Sequence, residues 1–208
     1  MIWFETFIQG VLLGGLYALF AAGLSLVFGI MRLVNLAHGD LIVAAAFVIL
    51  LIVEFTGLNP FLSALLAAPV LFSLGYILQR VVLNRVLGTN ILPPLLVTFG
   101  LSVALQNGML ETFSADSRRL PADGLENQSL DLGIATVGTL PLLTLASAVA
   151  VIVLLNRLLY ATPLGRACRA TSDDPVTASL MGIDPKKIFA IATGLAMVVI
   201  TIAALYLG

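Results

Sequence analysis

The stretch FIQGVLLGGLYALFAAGLSLVFGIM, residues 7–31, decides the fold class because it contains no charged side chain. A helix needs about 20 mostly apolar residues to cross the hydrocarbon core of a bilayer. Further apolar runs follow at roughly residues 41–53, 60–78, 91–110, 140–155 and 188–207. We therefore predict an all-α, polytopic transmembrane helical bundle of about six spans. Residues 41–53 are too few to span alone, which predicts one short or broken helix.

The overall composition excludes several other classes of protein. The chain is 60% hydrophobic and 10% charged, whereas a soluble domain carries about a quarter charged residues. A net charge of −1 offers no basic stripe for nucleic acid, and Cys168 is the only cysteine, so no disulfide scaffold is expected. The runs are too long and uniformly apolar for a β-barrel. We treat residues 1–208 as one transmembrane domain, and we predict neither a cofactor nor a metal site.

The positions of lysine and arginine predict the orientation, because cytoplasmic loops are enriched in these residues. With the N-terminus outside, the inner loops hold eight of the ten lysines and arginines. The outer loop between the fourth and fifth runs then holds only Arg118 and Arg119, among several acidic residues. The first run exceeds the usual 7–15 residues of a signal-peptide core, so we expect it to be retained.

A polar turn, Asn35 to Asp40, comes directly before the short second run. Polar groups at membrane depth are costly unless they are buried in protein or line a cavity. One interpretation is therefore a discontinuous helix whose N-terminus lies near a substrate path. The alternative is a short cytoplasmic turn in which Asn35 or Asp40 caps the next helix. We expect the sole histidine, His38, to be a hydrogen-bonded structural group rather than a titrating switch.

Polar residues also interrupt the fourth run. Thr98, Ser102 and Gln106 recur every four residues and so share one helical face. Such a stripe points to helix partners or an aqueous path rather than to lipid. Interhelical hydrogen bonding is the commoner cause, and a substrate route is the alternative.

Residues 157–187 form a long inner loop with signals for a short amphipathic helix. Asp173 or Asp174 can cap it, Pro175 fits its first turn, and Gly182 can end it. Its apolar residues are Val176, Leu180, Met181 and Ile183. They have no core of their own in so short a loop, which predicts a partner protein, with the bilayer surface as the alternative. We expect Cys168, in the same loop, to be an inert thiol.

Four segments, in order, resemble one known family. They are GLSLVFG at residues 23–29 with VNLAHGD at 34–40, VTFGLS at 97–102 with Gln106 and Asn107, TPLGRACRA at 162–170, and ASLMGI at 178–183. The chain is similar to branched-chain amino acid ABC transporter permeases of the LivH type. Family members are longer, so the resemblance implies that this sequence lacks the C-terminal third.

The resemblance implies a permease subunit, not an enzyme, of a binding-protein-dependent importer in the bacterial inner membrane. The implied partners are two ATP-binding subunits, a second homologous permease subunit, a periplasmic substrate-binding protein and membrane lipid. The implied cargo is branched-chain or related small amino acids. Candidates for the substrate path are Asn35, His38, Asp40, Thr98, Ser102 and Gln106. Candidates for coupling to the ATPases are Arg166, Arg169, Asp173, Asp174, Ala178, Leu180 and Gly182.

Three alternatives stay open at this point. Close relatives of the same architecture carry urea or short amides. An ion-coupled secondary transporter would need ionisable residues within several spans, and the runs contain none beyond Asp40 at their border. An intramembrane serine protease would need a serine paired with histidine, and no motif gives His38 such a partner.

Overall fold

The computed structural model describes residues 2–88, 92–114, 129–131 and 136–207. Arg118 and Arg119, on which the orientation partly depends, lie outside these residues. The first half comprises α1 (Ile2–Met31), α2 (His38–Thr56), α3 (Pro60–Leu78), a π-helical turn (Gln79–Leu83), α4 (Asn84–Val86) and α5 (Leu92–Phe113). The second half comprises β1 (Ser129–Asp131), β2 (Thr136–Gly138), α6 (Thr139–Ala161), α7 (Pro163–Asp173), α8 (Pro175–Leu180) and α9 (Pro185–Leu205).

The described helices confirm the prediction of a polytopic α-helical bundle. Five stretches are long and apolar enough to cross a membrane: Glu5–Met31, His38–Thr56, Pro60–Val86, Thr139–Ala161 and Pro185–Leu205. Helix α5 has 22 residues, which is also a spanning length, but its polar stripe lowers its mean hydropathy. The strands β1 and β2 form one short antiparallel pair just before α6.

Helix α9 is the centre of the bundle and packs against α1, α2 and α3. Its buried face is rich in small residues, which allow helices to approach closely. At Gly75 of α3 an added Cβ would lie 2.4 Å from the Met197 side chain, and at Gly194 of α9 it would lie 2.8 Å from Phe72. By contrast, α3, α5 and α6 expose many large apolar side chains outward, as helices facing lipid do.

The second apolar run differs from the prediction because it forms a full helix of 19 residues. Gly39 and Asp40 continue the helical backbone instead of interrupting it, and the helix ends at Gly57 with a φ of 66°. The irregular helix is the third. Pro69 lies inside α3, and the π-helical turn follows it. Proline removes a backbone donor, and π-helical turns are rare and frequently occur at functional positions.

Candidate translocation and coupling sites

The first turn of α2 lies deep in the bundle. The Nε2 of His38 lies 2.9 Å from the carbonyl oxygen of Phe20, which is eleven residues before the end of α1 and so about 16 Å along its axis. The surroundings of Gly23 on α1 place His38 at the same depth. A Cβ added at Gly23 would lie 3.2 Å from the His38 ring and 3.5 Å from the Ala196 carbonyl oxygen. Ala196 is eleven residues into α9. Helix α2 therefore begins inside the bundle, well short of the ends of α1 and α9, although it is itself continuous.

Residues 32–37 lead the chain from the end of α1 back into the bundle, to the depth at which α2 begins. Arg32, just after α1, has a φ of 52°, and six extended residues can cover about 20 Å. The Oδ1 of Asn35 accepts from the Ala37 N–H at 3.1 Å, and the Asn35 carbonyl accepts from the His38 N–H at 3.2 Å. The cap position of α2 is Ala37, whose side chain makes no capping hydrogen bond. Asn35 thus shapes the turn before α2, and neither it nor Asp40 is the capping residue.

Asp40 joins the polar stripe of α5. The Ser102 hydroxyl donates to Oδ2 of Asp40, and Nε2 of Gln106 donates to Oδ1 of Asp40 at 2.9 Å and to Ser102 Oγ at 3.2 Å. Ser102 is buried, Asp40 half-buried and Gln106 exposed. Ser102 is ten residues into α5, about 15 Å along its axis. The Asp40 carboxylate therefore lies at mid-bundle depth and accepts from two neutral donors. It can still accept a further hydrogen bond from a cation.

The remaining predicted path residue is not part of this cluster. Thr98 is fully buried, and its hydroxyl donates to the Leu95 carbonyl of its own helix at 3.1 Å. Of the six residues predicted from the sequence, the structure therefore brings together Asp40, Ser102 and Gln106. His38, Asn35 and Thr98 bond to backbone groups nearby.

The coupling segment contains the short helix that its sequence predicts. Asp174 caps α8: its Oδ1 accepts from the N–H groups of Val176 and Thr177 at 2.9 and 3.2 Å, and its Oδ2 accepts from the Thr177 hydroxyl. These hydrogen bonds, led by the Thr177 hydroxyl, hold the pKa of the Asp174 carboxyl below its usual value. Asp173, the other predicted cap, is the last residue of α7. Gly182 ends the segment with a φ of 85°.

The outer face of α8 is apolar and exposed. Val176, Leu180 and Met181 are 70, 82 and 80% exposed. Ile183, the fourth residue of the predicted apolar face, packs half-buried against a cluster from α1, α7 and α9, and the coupling candidate Ala178 is only 4% exposed. Ala178 is therefore covered by the chain itself and has no surface to offer a partner, whereas Ile183 keeps part of its surface.

The TPLGRACRA segment, residues 162–170, forms the junction between α6 and α7, and the contacts there account for several of its residues. Pro163 has no N–H, so the Leu159 carbonyl lacks its usual helical donor, and the Arg169 guanidinium donates to it instead. The same guanidinium lies 4.8 Å over the Tyr160 ring. At Gly165 an added Cβ would lie 2.1 Å from the Leu159 oxygen. Arg169 is therefore held against α6, while Arg166 is exposed.

Cys168 lies inside this junction. Only 1% of the residue is exposed. Burial raises the pKa of its thiol, and the neighbouring Arg169 charge only partly opposes that effect. These surroundings are those of an inert thiol.

A second polar network was missed at the sequence level. Gln79, which is fully buried, accepts from the Thr193 hydroxyl at 2.9 Å and donates to Asn84 at 3.0 Å. Asn84 in turn donates to the Lys186 carbonyl at 3.0 Å. The network ties the π-helical turn to α9 just after the coupling segment. Its only sequence signal is a glutamine and an asparagine at the end of the third run.

Comparisons with known proteins agree with this architecture. A family model described as branched-chain amino acid transport system / permease component matches residues 6–207. The high-affinity branched-chain amino acid transport system permease protein BraD of Pseudomonas aeruginosa is 29% identical over 98% of this chain and 70% of its own length. The corresponding LivH proteins of Escherichia coli K12 and Salmonella typhimurium are 27 and 26% identical over the same shares. No solved structure matches. The chain therefore belongs to the branched-chain amino acid transport system permease component family, as a LivH-type membrane permease.

Proposed function

We propose that the chain is a permease subunit of a binding-protein-dependent ABC importer that moves branched-chain or related small amino acids inward across the bacterial inner membrane. ATP is hydrolysed on two separate subunits in this proposal. The observation that carries it is the outer face of α8, where Val176, Leu180 and Met181 are exposed outside the spanning helices. Three large exposed apolar side chains within seven residues, 175–181, favour a protein partner that covers them. The names of the relatives support the cargo.

A movement of α8 can be transmitted to the transmembrane helices through a short connection. Gly182 and the Asp184 cap connect α8 to α9, and α9 packs against α1, α2 and α3. ATP-driven closure of the two ATPases would therefore move the central helix, and the bundle would alternate between outward and inward access. Arg166, Asp174, Leu180 and Gly182 are the coupling residues on this account. Arg169 and Ala178 support the segment from inside.

The substrate path runs beside the first turn of α2. Asp40 offers a carboxylate for the ammonium group of an amino acid, and Ser102 and Gln106 hold that carboxylate in place. Phe99 and Val103, which are exposed on the same side of α5 as Ser102 and Gln106, suit an aliphatic side chain. Asn35, His38 and Thr98 shape the wall. A second homologous permease subunit completes the path, and the binding protein delivers cargo on the outer side, where the N-terminus lies.

The test is uptake into proteoliposomes that contain the complete complex. We expect radiolabelled leucine to accumulate only when ATP and the binding protein are both present. Urea in excess should not compete. Accumulation of urea instead of leucine would favour the urea alternative, and uptake without ATP would favour an ion-coupled transporter. Either result would overturn the proposal.

A further inference from the structure

A cavity of about 240 Å³ opens between α1, α6 and α7. Its walls include Leu26 and Gly29 from α1 and Leu159 from α6. Its polar part includes Arg169 and Asp173 from α7. The cavity is therefore amphipathic, with apolar groups from two spanning helices and charged groups from the helix that follows them.

The position of the cavity is at the border of the membrane. Gly29 is two residues before the end of α1, and Leu159 is two residues before the end of α6. Helix α7 is not among the spans and crosses these ends, where Ser172 Oγ donates to the Gly29 carbonyl at 2.6 Å. A ligand here would have its apolar part at acyl-chain depth and its polar part at headgroup depth, which is the arrangement of a phospholipid.

The two charges indicate which headgroup fits. Arg169 and Asp173 are four residues apart on α7, so they are neighbours on one face, about 5–6 Å apart at their Cβ atoms. A guanidinium can bind phosphate, and a carboxylate can bind an ammonium group. An anionic headgroup would satisfy Arg169 but place its negative charge beside Asp173. A headgroup with both charges satisfies both side chains.

We propose that this cavity binds one phospholipid with a phosphoethanolamine headgroup, its phosphate on Arg169 and its ammonium group on Asp173, with an acyl chain along Leu26 and Leu159. The site includes neither Asp40 of the proposed substrate path nor the exposed residues Val176, Leu180 and Met181. Inorganic phosphate shares the arginine chemistry but lacks the ammonium group and the chain.

The test counts the lipids retained by the complete purified complex, using native mass spectrometry after exchange into vesicles of equal phosphatidylethanolamine and phosphatidylglycerol. We expect the wild type to retain one phosphatidylethanolamine per copy of this chain, even in 10-fold molar excess of inorganic phosphate. Asp173→Lys should reverse the preference toward phosphatidylglycerol, by about tenfold, the size expected for one charge-assisted hydrogen bond.

Arg169 also holds the junction between α6 and α7, so a substitution on α7 could change the fold as well as the lipid site. A second variant therefore tests the cavity from α1. Gly29→Leu adds a side chain at the cavity wall, where an added Cβ meets no atom within 4 Å, so it should expel the lipid without disturbing the fold. Gly14→Leu, at a position on the same helix that is equally open and does not line the cavity, should retain it. Equal retention in both glycine variants, displacement by phosphate, or no preference between the two lipids would overturn the proposal.

Discussion

Gly165→Ala should be among the most damaging small changes in this chain. An added Cβ would lie 2.1 Å from the Leu159 oxygen and 2.3 Å from the Leu158 oxygen, where ordinary contacts are 3.4–4 Å. Both are backbone atoms, so α7 must retreat by more than 1 Å. That movement would strain two hydrogen bonds, from the Thr162 hydroxyl to Leu158 and from Arg169 to Leu159. Overpacking costs about 1–3 kcal/mol and each lost hydrogen bond about 1 kcal/mol, so we expect about 3–5 kcal/mol.

The assay is thermal unfolding of the detergent-solubilised permease, followed by gel filtration with fluorescence detection. For a chain of 208 residues, the expected loss lowers Tm by about 10 °C, at about 2–4 °C per kcal/mol. Gly100→Ala is the matched control, because that glycine is also helical and an added Cβ there meets nothing within 4 Å. It should be neutral or slightly stabilising. Equal Tm values for the two variants would refute the steric argument.

Three further predictions use separate measurements. Asp40→Asn should reduce leucine uptake by the complete complex about tenfold or more without loss of assembly. The control is Asn107→Ala, at an exposed position on α5, which should transport leucine normally. Loss of assembly in Asp40→Asn would show that Asp40 has a structural role instead. Because burial raises the pKa of Cys168, less of its thiolate exists at a given pH. Maleimide labelling of the folded protein should therefore be slow at pH 7, and its rate should still increase at pH values where the labelling rate of an ordinary thiol is constant. Labelling at pH 7 as fast as in the unfolded chain would contradict this. In a Cys168→Ser background, cysteines introduced within residues 116–131 should react with membrane-impermeant reagents in intact cells, and a cysteine at Arg85 should not; the reverse pattern would invert the topology.

Features encoded by neighbouring residues could be predicted from the sequence. The spanning helices follow from apolar runs, and the α8 helix follows from a cap, a proline and a glycine within nine residues. The sequence leaves Asp173 and Asp174 as alternative caps, of which the structure has Asp174, and it predicts the end at Gly182, where φ is positive. The shared face of Ser102 and Gln106 follows from helical periodicity alone.

Features that depend on distant partners could not be predicted. The depth at which α2 begins depends on how residues 32–37 return between helices. The partners of Asp40 are 62 and 66 residues away, and Thr193 is 114 residues from Gln79. Periodicity also could not show that Ala178 is buried by the chain itself, since a helix of six residues is too short to distinguish its inner face from its outer one.

One charge placed on the exposed apolar face of α8 tests most directly whether this face binds the ATP-binding subunits. Leu180→Asp would bury a carboxylate on docking, which costs several kcal/mol unless it is paired and should weaken binding at least about a hundredfold. Ser179→Asp places the same charge on the next exposed residue and serves as the control. We predict that Leu180→Asp inserts normally but loses both copurification of the ATPases and the ATP hydrolysis that the binding protein stimulates, while Ser179→Asp keeps both. Normal copurification and normal stimulated hydrolysis in Leu180→Asp would contradict the account.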